Sequence, residues 1–190
     1  MKVRMILTVI CVFCMIQSNA QLNLKAEVKK LQLEENGNFP NNPKLPVLVY
    51  KNVFGNHVPP ELIEKTLFEN NWRGSWRNGI YSFQHYHSTA HEALGVYSGW
   101  AEVQLGGPGS EIVRIEKGDL VVLPAGTAHK RINSGDGFAV VGAYPDGQNW
   151  DMNYGKSEEV QPARENISKV PLPENDPVFG KNGKMFEFWK

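Results

Sequence analysis

The chain has 190 residues with 20 basic and 20 acidic side chains, so its formal net charge is zero. It has no basic stripe and no block of like charges, which disfavours nucleic acid and anionic membrane surfaces as partners. Without a 20-residue leader, the rest of the chain is long enough for one domain with a sizeable core.

Residues 1–20 have the pattern of a secretory signal peptide. Lys2 and Arg4 precede an apolar run from Met5 to Ile16, which is short for a membrane span. The small residues Ser18 to Ala20 then offer a cleavage site after Ala20. Both cysteines of the chain fall within this leader, so the mature protein has no thiol. We therefore expect a secreted or periplasmic protein; a transmembrane anchor is the alternative.

Residues 21–78 are predicted to supply elements that pack on a barrel. The proline-rich segment 39–46 must be extended, and Val47 to Tyr50 forms a short strand. Pro59-Pro60 opens the one convincing helix, Glu61 to Asn70, because proline suits the first turn.

Residues 79–154 have an all-β pattern. Tyr81, Phe83, His85 and His87 are spaced by two, so a strand would point all four to one face. The two aromatic residues are expected to fill the core, and the alternative is a platform for a substrate. Further short strands are predicted at 112–115, 120–123, 130–133 and 138–144. Strands at this spacing, separated by turn residues, indicate a sandwich or barrel.

Residues 155–190 are proline-rich and polar, and we predict an extended C-terminal tail. The final segment, Met185 to Trp189, is too apolar for a free end. It is expected to dock on the barrel or on a partner subunit.

Four residues suit a metal site: His85, His87, Glu92 and His129. Three imidazoles and a carboxylate favour one divalent transition metal such as Mn, Fe, Co, Ni, Cu or Zn. Four of the five histidines of the chain fall within the two short windows that hold these residues. Two-residue spacing on a strand keeps His85 and His87 parallel, and a tight turn at 124–126 would present His129.

The same windows resemble the two conserved motifs of the cupin superfamily. The runs are Gly79-x5-His85-x-His87-x4-Glu92-x6-Gly99 and Gly118-x5-Pro124-x-Gly126-x2-His129-x3-Asn133. The resemblance implies a double-stranded β-helix, which is a small antiparallel jelly roll, with the metal held inside by the four residues named above. It also implies a homodimer.

The likeness extends to the YjlB-like single-domain bacterial cupins and covers nearly all of the mature chain. The matching pieces are Pro40-Asn41-Asn42, residues 76–80, residues 85–92, residues 142–145 and Asp176-Pro177. No function is implied by the resemblance to this subgroup. The predicted leader is a difference from it, since we regard its members as mostly cytoplasmic.

Two further residues are candidate catalytic groups. His91 is a candidate proton shuttle, a donor to Glu92 or a replacement for Glu92 as ligand, and the alternative is a structural histidine at the barrel rim. Arg131 lies two residues past His129, so a regular strand would aim its guanidinium inward to clamp a substrate carboxylate. The alternative is a solvated arginine.

The leading hypothesis is a secreted metalloenzyme acting on a small oxygen-rich molecule, by dioxygenation, decarboxylation or isomerisation. Candidate substrates are hydroxy acids, keto acids, diketones, phenols and sugar derivatives. The second hypothesis is a protein that binds a small ligand or sugar around a structural metal. The third is a storage or structural role, in which the apolar C-terminus serves assembly and little metal is bound.

Overall fold

The computed structural model describes residues 22–190, so the predicted signal peptide and its cleavage site lie outside the described residues. The strands are β1 (Val28–Leu31), β2 (Val47–Tyr50), β3 (Trp72–Asn78), β4 (Glu92–Leu105), β5 (Ile112–Glu116), β6 (Leu120–Leu123) and β7 (His129–Pro145). They form one antiparallel sheet in the order β1-β2-β6-β4-β7-β3, with β5 paired to β4. The predicted all-β jelly roll is thus confirmed.

The longest strands, β4 and β7, pair along most of their length, from Ala93 opposite Ala143 to Leu105 opposite His129. The two short strands predicted at 130–133 and 138–144 are therefore parts of one strand. Gly99 lies at an irregularity of this pairing with φ of +62°, and a Cβ there would come within 2.2 Å of the carbonyl oxygen of Gly135. Only glycine fits that position.

The predicted helix is confirmed to within one residue at each end. Helix α1 (Pro60–Glu69) has proline in its first turn and buries Ile63 and Leu67 in the core beneath the sheet. A second buried cluster lies between the strands and includes Leu94, Val121 and Val140.

The C-terminal tail differs from the extended segment that its prolines predicted. A 3₁₀ turn (Ser157–Glu159) leads into helix α2 (Val160–Ile167), and helix α3 (Met185–Phe188) lies near the chain end. Pro162 occupies the first turn of α2, where proline costs no backbone hydrogen bond. The apolar end docks on the core as predicted: Trp189 is buried and its indole N–H donates to the Pro46 carbonyl at 2.9 Å.

The segment between β3 and β4 is not the regular strand that its alternation predicted. His85 and Tyr86 each form one isolated bridge, to His129 and to Asn153. Gly79, the first residue of the first motif, lies outside the left-handed region, and a Cβ there would meet no atom within 4 Å. Within residues 22–190, no helix has the length and apolar character needed to cross a membrane.

Candidate metal centre

Backbone hydrogen bonds bring the two histidine windows together. The His85 N–H donates to the His129 carbonyl at 3.2 Å, and the His129 N–H donates back to the His85 carbonyl at 2.9 Å. The His85 and His129 rings consequently lie 4.1 Å apart, centre to centre. One ring nitrogen each from His85, His87 and His129 lies within 4.8 Å of the other two, so one ion is able to contact all three.

The three rings are oriented by carbonyl oxygens. The Nδ1–H of His85 donates to Phe83 at 3.2 Å, and that of His129 donates to Thr127 at 3.0 Å. The Nδ1–H of His87 donates to the carbonyl of Asp151. Each Nε2 is therefore left as an unprotonated acceptor, which is the arrangement that metal-binding histidines adopt.

Glu92 completes the group as the sequence predicted its position. Its side chain is buried, and Oε2 lies 3.5 Å from Nε2 of His129 and 3.7 Å from Nε2 of His87. That oxygen has no hydrogen-bond partner, whereas Oε1 accepts the hydroxyl of Tyr144 at 3.1 Å. A buried carboxylate oxygen without a donor is costly in a folded protein, and a cation among the four residues would remove that cost.

Burial sets the protonation of these groups. It lowers the pKa of His85 to about 4 and holds the pKa of His129 well below its usual value, so both rings are neutral near pH 7. Burial also raises the pKa of Glu92, and the neighbouring His87 and the Tyr144 hydroxyl offset this only in part. A bound divalent cation would favour the ionised carboxylate and reverse that shift.

Asp151 connects the loop that contains it to the candidate metal centre. Burial works to raise the pKa of its carboxylate, but hydrogen bonds from Ser88, Asn153 and Thr89 lower it below its usual value. The Ser88 N–H and hydroxyl both donate at 2.5 Å, and the Asn153 amide donates at 2.8 Å. These bonds fix the backbone whose carbonyl orients His87.

A cavity of about 380 Å³ opens over the four candidate ligands. Trp150 from the Asp151 loop stacks on Tyr144, with ring centres 6.0 Å apart, and Trp76 donates its indole N–H to the Tyr144 hydroxyl at 3.2 Å. Both tryptophans line the cavity. The volume suits a small molecule.

The structure does not bring His91 into this cavity. Its Nδ1 accepts the Ala125 N–H at 2.9 Å, and its Nε2–H donates to the Pro171 carbonyl at 3.2 Å. The ring packs against Trp189 at 4.8 Å from centre to centre, on the side of the C-terminal tail. This environment matches the structural histidine that was the alternative reading.

Arg131 also lies away from the cavity lining. Its Nε–H donates to the Ile80 carbonyl at 3.1 Å, and another guanidinium N–H donates to the Ser134 hydroxyl at 2.7 Å. Tyr81 and Phe83, predicted to fill the core, are instead about half exposed and stack on each other at 4.8 Å.

The sequence reasoning missed Tyr144, Asp151 and the cavity role of Trp150. Tyr144 lies in the run 142–145 that carried the subgroup resemblance, and that was its only available signal. Asp151 and Trp150 have none, because their partners are some 60 residues away in sequence.

Comparison with known proteins gives the family. The cupin domain family matches residues 78–141. YjlB of Bacillus subtilis strain 168, itself described as uncharacterised, is 35% identical over 166 residues, covering 87% of this chain and 99% of its own.

Solved structures are matched more distantly. A duf861 family protein from Thermotoga maritima is 25% identical, with a TM-score of 0.30 over 46% of this chain and 92% of that one. Procruciferin, the 11S globulin of Brassica napus, is 14% identical, with a TM-score of 0.35 over 68% of this chain and 32% of that one. TM-scores this low support no transfer of site or function. The motifs, the fold and the match to YjlB show that the chain belongs to the cupin superfamily, in the YjlB-like group.

Proposed function

We propose that this protein is a secreted metal-dependent enzyme in which His85, His87, His129 and Glu92 hold one divalent transition metal ion. The observation that carries the proposal is the buried Glu92 Oε2, which lacks a hydrogen-bond donor and faces two imidazole nitrogens at 3.5 and 3.7 Å. Three histidines with their Nδ1 atoms occupied supply the remaining donors. Mn, Fe, Co, Ni, Cu and Zn all accept this ligand set.

The substrate is a small oxygen-rich molecule that fits the cavity over the four candidate ligands. The bound ion supplies Lewis-acid polarisation and, for a redox metal, a site for oxygen chemistry of the dioxygenase, decarboxylase or isomerase type. The chain's own residues hold the ligands in place: Tyr144 donates to Glu92, and the Asp151 carbonyl orients His87.

Turnover tests the enzymatic part of this proposal. The protein, reconstituted in turn with Mn, Fe, Ni, Cu or Zn, is incubated with hydroxy acids, keto acids, diketones, phenols and sugars while oxygen uptake and products are measured. We expect turnover with one metal and none in His129→Ala. Metal-loaded protein that converts no member of the panel would contradict an enzymatic role for these substrate classes.

A specific observation favours the second candidate, a binding protein around a structural metal. Neither His91 nor Arg131 reaches the cavity, and both are already engaged with the backbone. Binding of a panel member without turnover is the result this alternative predicts.

Three further expectations belong to the same proposal. Secretion rests on the leader pattern, and mass spectrometry of the exported protein would show a chain beginning at Gln21. A homodimer, which the family resemblance implies, is expected in solution and is measured by light scattering. The small-molecule ligand is expected to be the partner, without nucleic acid or membrane.

A further inference from the structure

An aromatic rim borders the cavity over the four candidate ligands. Tyr81 and Trp150 line the cavity itself, and Phe83 and Tyr154 extend the rim outward from Tyr81. All four are 45–50% exposed, and they make up nearly half of the large hydrophobic side chains that residues 22–190 expose. Phe83 stacks on Tyr81 at 4.8 Å and contacts Tyr154 at 6.0 Å. Exposed apolar surface gathered at the mouth of a cavity marks a binding surface.

The rim is continuous with the candidate ligands. The Tyr81 ring meets His85 edge-on at 5.1 Å, and the Trp150 ring meets His87 at 5.5 Å. A planar ring stacked on Tyr81 or on Trp150 would therefore lie beside the candidate ligand histidines. Oxygen atoms on such a ring would be within reach of the metal position.

The side chains that line the cavity offer little positive charge to a ligand. Arg77 is the only cationic side chain among the described residues that line the cavity. Its guanidinium is held by Glu64 at 2.7 Å and by Glu61 at 2.9 Å. No uncommitted arginine or lysine is thus placed to pair with the carboxylate or phosphate of an aliphatic acid.

We propose that the cavity selects a hydroxylated or carbonyl-bearing aromatic ring over aliphatic acids, with Trp150 as the residue that determines this preference. The inference rests on the proposed function, because the ring oxygens are assigned to the metal. Stacking supplies the ring preference and is independent of the ion.

Calorimetric titration tests the proposal with three probes: catechol, cis-1,2-cyclohexanediol and malonate. The diol keeps adjacent hydroxyls without an aromatic ring, and malonate is an aliphatic dianion. Each probe is titrated into metal-loaded and metal-free protein, and elemental analysis after each titration shows whether the ion stayed bound. We expect catechol to bind at least about tenfold more tightly than either of the other probes.

Trp150→Leu is the decisive variant, and Trp100→Leu is its matched control. Trp100 lies in another surface depression, under the guanidinium of Arg114 at 4.0 Å. We expect Trp150→Leu to weaken catechol binding about five- to tenfold and Trp100→Leu to leave it unchanged. In metal-free protein the same ratio between wild type and Trp150→Leu persists at lower affinity.

Two outcomes overturn the inference: a diol or malonate affinity equal to that of catechol, or an unchanged catechol affinity in Trp150→Leu. Failure of the proposed function looks different. In that case the protein takes up no metal, and the ring preference is then judged from the metal-free titrations alone.

Discussion

Two neighbouring regions of the molecule contain buried histidines with opposite roles. In the candidate metal centre, each ring uses Nδ1 on a carbonyl and leaves Nε2 free. In the region under the C-terminal tail, His91 uses both nitrogens on backbone groups. Burial lowers the pKa of both His85 and His91 to about 4. A lowered pKa therefore does not distinguish the candidate ligand histidines from His91, whereas an uncommitted ring nitrogen does.

The largest expected effect is that of replacing Glu92, which belongs to the candidate metal centre alone. We expect Glu92→Gln to weaken metal binding at least about 100-fold, because it removes the one anionic donor. The metal-free variant should unfold at the same temperature as wild type or higher, since a buried carboxylate oxygen without a donor is lost. Metal titration and thermal unfolding measure the two effects.

Glu102→Gln, on the same strand β4, is the control and should change neither property. If metal-free Glu92→Gln unfolds at a clearly lower temperature, the carboxylate is stabilised by the protein itself, and the argument from its unpaired oxygen fails.

The second prediction concerns how the free energy of unfolding depends on pH, to which the buried histidines of both regions contribute. Folding lowers the pKa of His85, His91 and His129 from 6.5, so between pH 6.5 and about 4 the unfolded chain carries more protons. The free energy of unfolding of metal-free protein should thus fall by about 3 kcal/mol or more as the pH drops through that window.

Glu92, whose pKa is raised, acts in the opposite sense, but it is one group against three. Urea unfolding at half-unit pH intervals provides the measurement. A flat profile between pH 6.5 and 4 would show that the buried histidines are protonated as readily in the folded state as in the unfolded chain.

The third prediction separates the two regions. We expect His91→Phe to lower the free energy of unfolding by about 1–3 kcal/mol, because the Ala125 N–H loses its acceptor in a buried position. The stoichiometry of metal binding should stay the same. Urea unfolding and elemental analysis are the measurements, and exposed His57→Ala is the control. Loss of metal with a folded His91→Phe would place His91 among the ligands after all.

The smallest effect concerns the loop that orients His87. Asp151→Ala should weaken metal binding about tenfold, because the loop carbonyl that holds the ring is no longer fixed by the Ser88 and Asn153 bonds. Asp146→Ala, at an exposed position near the same loop, is the control and should bind metal as wild type does. Equal metal affinities in the two variants would show that Asp151 does not help to hold His87 in place.

The positions of the candidate ligands were predictable because the two motifs fix their order and spacing along the chain. Glu92 begins strand β4, and its carboxylate lies near His87 and His129. His91 precedes that strand, and its ring packs against Trp189 rather than entering the cavity. The sequence could not show that both nitrogens of His91 are occupied, since Ala125 and Pro171 are remote along the chain.

Local sequence patterns did not predict the cavity walls or the helices of the tail. Trp76 and Trp150 meet around Tyr144 only after β3, β7 and the following loop are assembled. In the tail, Pro162 resembled a helix breaker, yet it sits in the first turn of α2, where it is compatible with the helix. Side-chain partners that are distant in sequence therefore form the cavity walls, whereas the position of Pro162 within the first turn permits the tail helix.

Elemental analysis of the protein purified without a histidine tag, beside His85→Ala, tests the central claim most directly. The account predicts close to one equivalent of a divalent transition metal in the wild-type protein and almost none in the folded variant. A wild-type protein that folds, contains no metal and takes up none on reconstitution would contradict it.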